Sequence, residues 1–347
     1  MRLILHIGSG KTGTTTLQST LCAHAEQLMQ AGILYPTPLY NKVNHNYLAA
    51  LVHPMRDMPR EFTSGETASY EDIQARGAAF WNDIRRQIKA SNPETVVLSG
   101  EYFFGLSQAK MDLLRSLLSE VFHDVHVVAY VRHPATFYVS WMQQIVKASH
   151  EIRPPADFTF RVRASLTRYA ESFDGRLAVR SSHRNSLLRG SIVDDFITTH
   201  LEADEVLPRA ITVTDANESM SGEAMCIMQS LRRHGWPDEN GHFTPASTHV
   251  EHVLHLIRDR SPQAPATLRP PIHAAMTLRH QSDIEWLASE HGIVFEGHDL
   301  PPLTAVDAEP EGWASSDLRH ILAVEDVQLE ATLSVLVKEL ALSSLRH

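Results

Sequence analysis

Short apolar runs alternate with longer segments of helical periodicity through the first 150 residues. The runs are rich in leucine, isoleucine and valine, as expected for strands that are buried on both faces of a sheet. Strands are predicted at residues 2–7, 33–35, 95–99, 125–131 and, more weakly, 177–180. Helices are predicted between them at residues 14–30, 44–52, 70–90, 108–121 and 134–148. This alternation predicts an α/β fold with a mostly parallel sheet flanked by helices.

Beyond residue 150 the pattern is mainly helical, and Ser219 or Ser221 is expected to cap one helix with Glu223 in its first turn. Helices are predicted at residues 158–172, 191–200, 221–234, 278–291 and 318–342, and a proline-rich connection at residues 259–271. No repeat or low-complexity block divides the chain. A single domain over residues 1–347 is therefore expected, with a core in residues 1–150 and a mostly helical completion in residues 151–347. Residues 290–347 carry no motif that assigns them a role.

Composition and charge argue against several classes of protein. The chain has 347 residues and a net charge of −10, which argues against a general nucleic-acid-binding protein, because such a protein presents a basic face. No apolar run is long enough to span a bilayer, and the N-terminus does not resemble a signal peptide. A cytoplasmic location is therefore expected. Cys22 and Cys226 allow one disulfide in principle, but two reduced thiols are the expectation.

The chain contains 21 histidines. His249, His252 and His255 are spaced three residues apart, which makes them the best candidates for a metal site. Steps of three residues drift around a helix, so the outer two side chains diverge, and no cysteine lies nearby to complete a zinc pattern. Packed or solvated helix histidines are the favoured interpretation, and no metal is predicted.

A glycine-rich turn joins the first strand to the first helix. Its sequence is Gly8-Ser9-Gly10-Lys11-Thr12-Gly13, followed by three threonines. A Walker A loop needs a glycine six residues before its lysine, and here that position is Leu5. The loop is shorter, yet its glycines and the following helix N-terminus are suited to hold a phosphate. Lys11 adds positive charge.

Two further strands end in residues suited to the same chemistry. Glu101 follows the strand at residues 95–99, and Arg132 follows the strand at residues 125–131. Because ligands bind beyond the carboxyl ends of parallel strands, these ends are expected to lie together around one cleft. Arg132, with Ser140 eight residues later, can clamp a second phosphate. No aspartate stands at these strand ends, which speaks against a magnesium-dependent NTPase.

These motifs together resemble those of the PAPS-dependent sulfotransferases, especially the bacterial members, where PAPS is 3′-phosphoadenosine 5′-phosphosulfate. Residues 10–16 resemble the loop that grips the 5′-phosphosulfate, and residues 130–140 resemble the segment whose arginine and serine grip the 3′-phosphate. The resemblance is strong over residues 1–150 and softer at residues 217–224 and 283–287. It implies a P-loop NTPase-like fold, a donor-binding core in residues 1–150 and an acceptor region beyond.

The resemblance also implies roles. Lys11 would neutralise charge on the departing phosphate, and the base for the acceptor would be Glu101 or His45. The expected donor-binding residues are Ser9, Gly10, Lys11, Thr12, Gly13, Thr14, Thr15, Thr16, Arg132 and Ser140. PAPS would be the donor and PAP the product, with a small molecule, a glycan or a lipid as acceptor. An ATP-dependent kinase or NTPase and a non-catalytic nucleotide-binding protein remain open alternatives.

Overall fold

The computed structural model describes residues 1–9, 12–38, 42–58, 62, 69–201, 219–237, 241–260, 264–297 and 309–344. These residues form two compact units. The first comprises Met1–Arg132, Arg161–Asn217 and Trp286–Val294, and the second comprises His133–Phe160, Glu218–Glu285 and Phe295–His347. The first unit thus combines the residues up to Arg132 with two later segments, and the second unit likewise combines three segments of the chain.

The first unit is built on a parallel sheet of five strands. The strands are β1 (Arg2–His6), β2 (Ile33–Leu34), β3 (Thr95–Ser99), β4 (Asp124–Val131) and β5 (Leu177–Ser181), in the order β2-β3-β1-β4-β5. All four strand pairs are parallel. The predicted α/β class is thereby confirmed. Leu3, Ile4 and Leu5 are at most 1% exposed, which explains the unbroken apolar run of β1.

Helices flank this sheet. In the first unit they are α1 (Thr14–Ala23), α2 (Ala25–Gln30), α3 (Tyr70–Ser91), α4 (Gln108–Ser119), α6 (Val162–Ser172) and α7 (Ile192–Phe196). Short 3₁₀ helices lie at Asn46–Leu51, Met55–Asp57, Glu101–Phe103, Arg184–Ser186 and Leu188–Gly190, and a π-helical turn lies at Ile197–Leu201. The start of α3 shows how local sequence sets a boundary. Ser69 accepts from Asp72 N and donates its own N–H to the Asp72 carboxylate, which forms a capping box.

The second unit is helical in the residues that the structure describes. Its helices are α5 (Pro134–Val146), α8 (Gly222–Ser230), α9 (Pro245–Arg260), α10 (Pro270–Arg279), α12 (Leu318–Ile321) and α13 (Asp326–Ser344), with a 3₁₀ helix at Pro155–Asp157 and a π-helical turn at Leu231–Gly235. The unit boundary falls within α11 (Gln281–His291). Within the described ranges no helix is long and apolar enough to cross a membrane.

Several predicted helices differ from the observed ones. The helix predicted over residues 14–30 is interrupted at His24, whose backbone leaves the helical region at φ −109° and ψ 22°. His280 interrupts the helix predicted over residues 278–291 in the same way, at φ −106° and ψ 17°. The helix predicted over residues 318–342 is two helices, α12 and α13. The predicted connection at 259–271 is shorter, because α9 reaches Arg260 and α10 begins at Pro270, where proline suits a first helical turn.

Candidate functional site

The strand register brings the three predicted strand ends together. His6 at the end of β1 pairs with Ser99 at the end of β3, and on its other side with Val128 of β4. A spacing of about 4.8 Å between strands places β3 and β4 about 10 Å apart across β1. Because β4 continues from Val128 to Val131, its end lies about 10 Å further along the strand direction than the ends of β1 and β3. The segments that follow the three strands leave the same end of the sheet.

The turn after β1 delivers the N-terminus of α1 to this edge of the sheet. A Cβ at Gly8 would lie 2.5 Å from Thr14 Oγ1, so only glycine fits there. Gly13, with φ 87°, occupies the N-cap position and offers no side-chain cap. The first helical hydrogen bond runs from Leu17 N to Gly13 O, which leaves the preceding amides without an intrahelical acceptor.

The unmatched amides of α1 are suited to bind an anion. Thr14, Thr15 and Thr16 contribute them, and the first turn contains no acidic residue. The helix dipole adds partial positive charge at the same point. Backbone N–H groups at a helix N-terminus after a glycine turn are a recurrent way to bind phosphate or sulfate groups.

The hydroxyl groups of the turn divide into two sets. Ser9 is 4% exposed and donates to Tyr130 O of β4 at 2.9 Å, so its hydroxyl ties the turn to the sheet. Thr12 and Thr14 are buried, and their hydroxyls lie 3.3 Å apart. Thr15 and Thr16 are only half-buried, which leaves them the better placed of the threonines to meet a ligand. Gly10 and Lys11 lie outside the described residues, so their predicted roles stay predictions.

Arg132 stands at the carboxyl end of β4 with an uncompensated charge. The side chain is half-buried, and it makes no hydrogen bond or ion pair with any residue that the structure describes. Burial lowers the pKa of its guanidinium. Removing a charged group from water is unfavourable unless an opposite charge accompanies it. Arg132 is therefore suited to receive an anionic ligand.

Ser140, the predicted partner of Arg132, belongs to the second unit. It is half-buried and lies on α5, which begins at Pro134. Neighbouring aromatic side chains on α5 pack within that unit, where Tyr138 and Trp141 both contact Phe158 at ring-centroid distances of 5.3 and 6.0 Å. These aromatic residues are thus core residues of the second unit, and the role of Ser140 stays a prediction.

Glu101 is positioned by a neighbouring loop. It opens the 3₁₀ helix that follows β3, and its backbone N–H donates to Asn46 Oδ1 at 2.9 Å. Asn46 is 4% exposed, so this support is shielded from water. The Glu101 side chain is half-buried at the edge of the sheet where the α1 N-terminus also lies.

His45, the other candidate base, is enclosed. The ring is fully buried; Nδ1 accepts from Ser99 N at 3.0 Å and Nε2 donates to Pro36 O at 2.9 Å. Burial lowers its pKa to about 4, although both backbone hydrogen bonds act in the opposite direction. Both ring nitrogens are engaged with the main chain. This placement favours a structural role and argues against His45 as the base.

A buried polar network lies beneath the site, and the sequence did not predict it. Ser99 Oγ accepts from Gln18 Nε2 at 2.9 Å and lies 2.8 Å from His6 Nδ1. It links α1, β1 and β3 directly below the turn and the start of the Glu101 helix. Burial, with a smaller contribution from His200, lowers the pKa of His6 to about 3. Gln18 and His6 are 81 and 93 residues from Ser99 in sequence, so no local sequence pattern indicates these contacts.

A second network braces β4 and β5. Asp195 is fully buried and accepts two hydrogen bonds from Arg180, at 2.5 and 2.6 Å, and one from Tyr130 OH at 2.7 Å. Burial raises the pKa of Asp195, but the hydrogen bonds from Arg180, Leu188 N and Tyr130 outweigh it, so the pKa is lowered overall. Asp195 therefore has a structural role, in which it links α7 to β4 and β5.

The remaining motifs have structural explanations. Ser221 caps α8 by accepting from Ala224 N at 3.2 Å, with Glu223 in the first turn, which confirms the predicted cap. Asn217 lies outside the described residues. His255 pairs with Glu251 at 3.6 Å, and no group of three or more potential metal ligands occurs in the described part of the chain. Comparison with family models, with curated proteins and with solved structures gave no match.

Proposed function

We propose that this chain binds PAPS and transfers its sulfuryl group to a hydroxyl or amine of an acceptor molecule. The observation that carries the proposal is the position of Arg132, whose guanidinium has no partner among the described residues. Arg132 follows β4, which lies beside β1, and β1 leads to the uncapped N-terminus of α1. These are two anion-binding features on adjacent strands. PAPS carries anionic groups at both the 5′ and the 3′ position of its ribose, and it therefore needs two such features.

The residues present fit the two ends of this donor. The amides of Thr14, Thr15 and Thr16 would hold the 5′-phosphosulfate, and Gly8 leaves the turn open enough for them to face it. Arg132 would hold the 3′-phosphate through its forked guanidinium. By the family resemblance, Lys11 would join the first site. PAPS, when bound, supplies the activated sulfuryl group for in-line displacement.

The acceptor must lose a proton as it attacks. Glu101 is the residue we assign to that step, because it follows β3 at the same edge of the sheet and Asn46 fixes its backbone. His45 is not assigned, because both of its ring nitrogens are occupied. Transfer of a sulfuryl group depends mainly on positioning and on charge stabilisation, both of which fixed amides and cations supply.

The alternative of a kinase or NTPase has less support. Magnesium-dependent phosphoryl transfer uses an aspartate near a strand end to hold the metal ion. In the described part of the chain, the residues directly after β1, β3, β4 and β5 include a glutamate and an arginine but no aspartate. A non-catalytic nucleotide-binding protein would use the same anion sites, and turnover alone separates it from an enzyme.

Calorimetric titration of the full chain distinguishes these functions. We expect tight binding of PAP without a metal ion and weak binding of ATP with or without magnesium. A matched pair of variants checks the location. Gly8→Ala places a methyl group against Thr14 and should weaken PAP binding by about tenfold or more, whereas the Cβ of Gly105→Ala meets nothing within 4 Å and should leave it unchanged.

Two outcomes would overturn the proposal. If ATP with magnesium bound more tightly than PAP, the kinase alternative would replace it. If Gly8→Ala, shown to be folded by its melting temperature, bound PAP like the wild type, the turn after β1 would not be the donor site. Sulfuryl transfer is then assayed as release of PAP from PAPS across acceptor classes, and failure of Glu101→Gln to reduce that rate would remove Glu101 from the role.

A further inference from the structure

A groove of about 470 Å³ lies within the second unit, separate in residues from the proposed donor site. The start of α8, the end of α9, residues 264–267 and one face of α13 line it. Small-molecule sites commonly have volumes of about 300–1,000 Å³. The groove is therefore large enough for a compact organic ligand.

Backbone hydrogen bonds fix the walls of the groove. Ala266 N donates to Met220 O at 3.2 Å, and Ala323 N donates to Thr267 O at 2.9 Å, so the chain over residues 264–267 is tied on both sides. A Cβ at Gly222 would lie 2.6 Å from Val324 Cγ2, which shows how closely α8 approaches the segment before α13. The groove is thus formed in advance of any ligand.

Glu223 gives the groove its chemistry. The residue is 6% exposed and lines the groove, yet its carboxylate has no hydrogen bond or ion pair with any residue in the described ranges. Since no described protein group offsets its charge, a cation or a hydrogen-bond donor in the groove would stabilise this carboxylate. The other charged lining residue, Glu339, is also acidic, and no basic residue lines the groove in the part of the chain that is described.

Most of the other lining residues are small or apolar, and Thr267, Gln328 and Thr332 are the polar ones. Ile257 is 4% exposed and forms part of the base, while Val335 and Ala331 of α13 contribute to one wall. Alanines on both sides leave space for a ligand body. The combination favours a ligand with one positive group and a compact aliphatic part.

We propose that this groove binds a small organic amine whose ammonium group pairs with Glu223 and whose aliphatic body packs against Ile257 and Val335. The inference goes beyond the proposed sulfotransferase activity and does not depend on it. An anion would be repelled by the Glu223 carboxylate, and a neutral ligand could donate a hydrogen bond to it but would not compensate its charge. A hard divalent cation needs about six oxygen ligands, and no cluster that could hold a metal is present among the described residues.

Three matched probes test the proposal on the full chain. Cyclohexylmethylamine, cyclohexylmethanol and cyclohexanecarboxylate have similar bodies and differ in charge. Binding is followed by chemical-shift changes of methyl groups in the protein. We expect the amine to bind with a dissociation constant of about 1 mM or lower, and the alcohol and the acid to bind about tenfold more weakly or not at all.

Variants place the site. Glu223→Gln keeps the shape of the side chain and should weaken amine binding by about tenfold. Ala331→Phe should fill the groove and weaken binding of the amine as well. Glu330→Gln alters an exposed carboxylate on α13 that does not line the groove, and it should change nothing.

The proposal would be overturned by equal binding of the amine and the alcohol, or by no amine binding up to about 10 mM. It would also be overturned if folded Glu223→Gln bound the amine like the wild type. Ala331→Phe changes a different helix from Glu223→Gln, so it still tests the location of the site if Glu223→Gln does not fold. A failure of PAP binding would leave these results unaffected, so the two proposals are tested separately.

Discussion

Buried histidines make the first unit sensitive to acid. Burial lowers the pKa of His6 to about 3, and it lowers that of His45 and His200 to about 4. Each ring stays neutral in the folded chain at a pH where the unfolded chain, with a histidine pKa near 6.5, already binds a proton. The free energy of unfolding is therefore undiminished above pH 6.5 and falls as the pH drops toward the folded pKa.

The magnitude follows from the two pKa values of each histidine. Between pH 7.5 and pH 5, a histidine with a folded pKa of about 3 or 4 removes about 2 kcal/mol from the free energy of unfolding. Three such residues give about 6 kcal/mol if their effects add. Whole domains are stable by only about 5–15 kcal/mol, so the unit is expected to be close to unfolding at pH 5.

Urea unfolding followed by tryptophan fluorescence measures this effect, since buried Trp81 of the first unit reports its packing against Phe122. In His6→Gln the loss between pH 7.5 and pH 5 should shrink by about 2 kcal/mol. His200→Gln should do the same. His123→Gln changes an exposed histidine of the same unit and serves as the control. If the free energy of unfolding of the wild type were equal at both pH values, or if its loss were unchanged in both buried variants, these histidines would not be the source of acid sensitivity.

Three further substitutions test other parts of the structure. Glu101→Gln should reduce sulfuryl transfer by about 10²-fold or more while PAP affinity stays the same, and a kinetic assay with parallel calorimetry decides it. Ser99→Ala leaves buried partners unsatisfied and should cost about 1–3 kcal/mol in urea unfolding, whereas exposed Ser119→Ala should cost far less. Asp195→Asn breaks the buried pair with Arg180 and should cost about 3–5 kcal/mol; a loss below 1 kcal/mol would contradict that assignment.

The sheet could be predicted because strands that are buried on both faces have continuous apolar sequences. The apolar runs at β1, β3 and β4 are continuous, and their order with intervening helices indicates parallel pairing. The interruptions at His24 and His280 could not be predicted. Neither position carries the proline or glycine that ordinarily marks a break, so tertiary packing decides the backbone there.

The backbone around the candidate site could be predicted where local sequence determines it. A glycine turn that leads into a helix N-terminus, and an arginine at a strand end, are local features, and the structure places both at one edge of the sheet. The burial of a side chain depends on residues that are distant in sequence. His45 lies between two asparagines, which suggests exposure, yet the folded chain buries it completely. The Ser9 hydroxyl donates to Tyr130 O of the neighbouring strand, which the sequence did not indicate.

In the function that we propose, Arg132 binds the 3′-phosphate of a PAPS-type nucleotide. Calorimetric titration of PAP and of AMP, which lacks that phosphate, into the wild type and Arg132→Ala tests it most directly. We expect the wild type to prefer PAP by about 10²-fold, and Arg132→Ala to lose most of this preference while its affinity for AMP stays the same. Equal affinity of the wild type for both nucleotides, or an intact preference for PAP in Arg132→Ala, would show that Arg132 does not bind the 3′-phosphate.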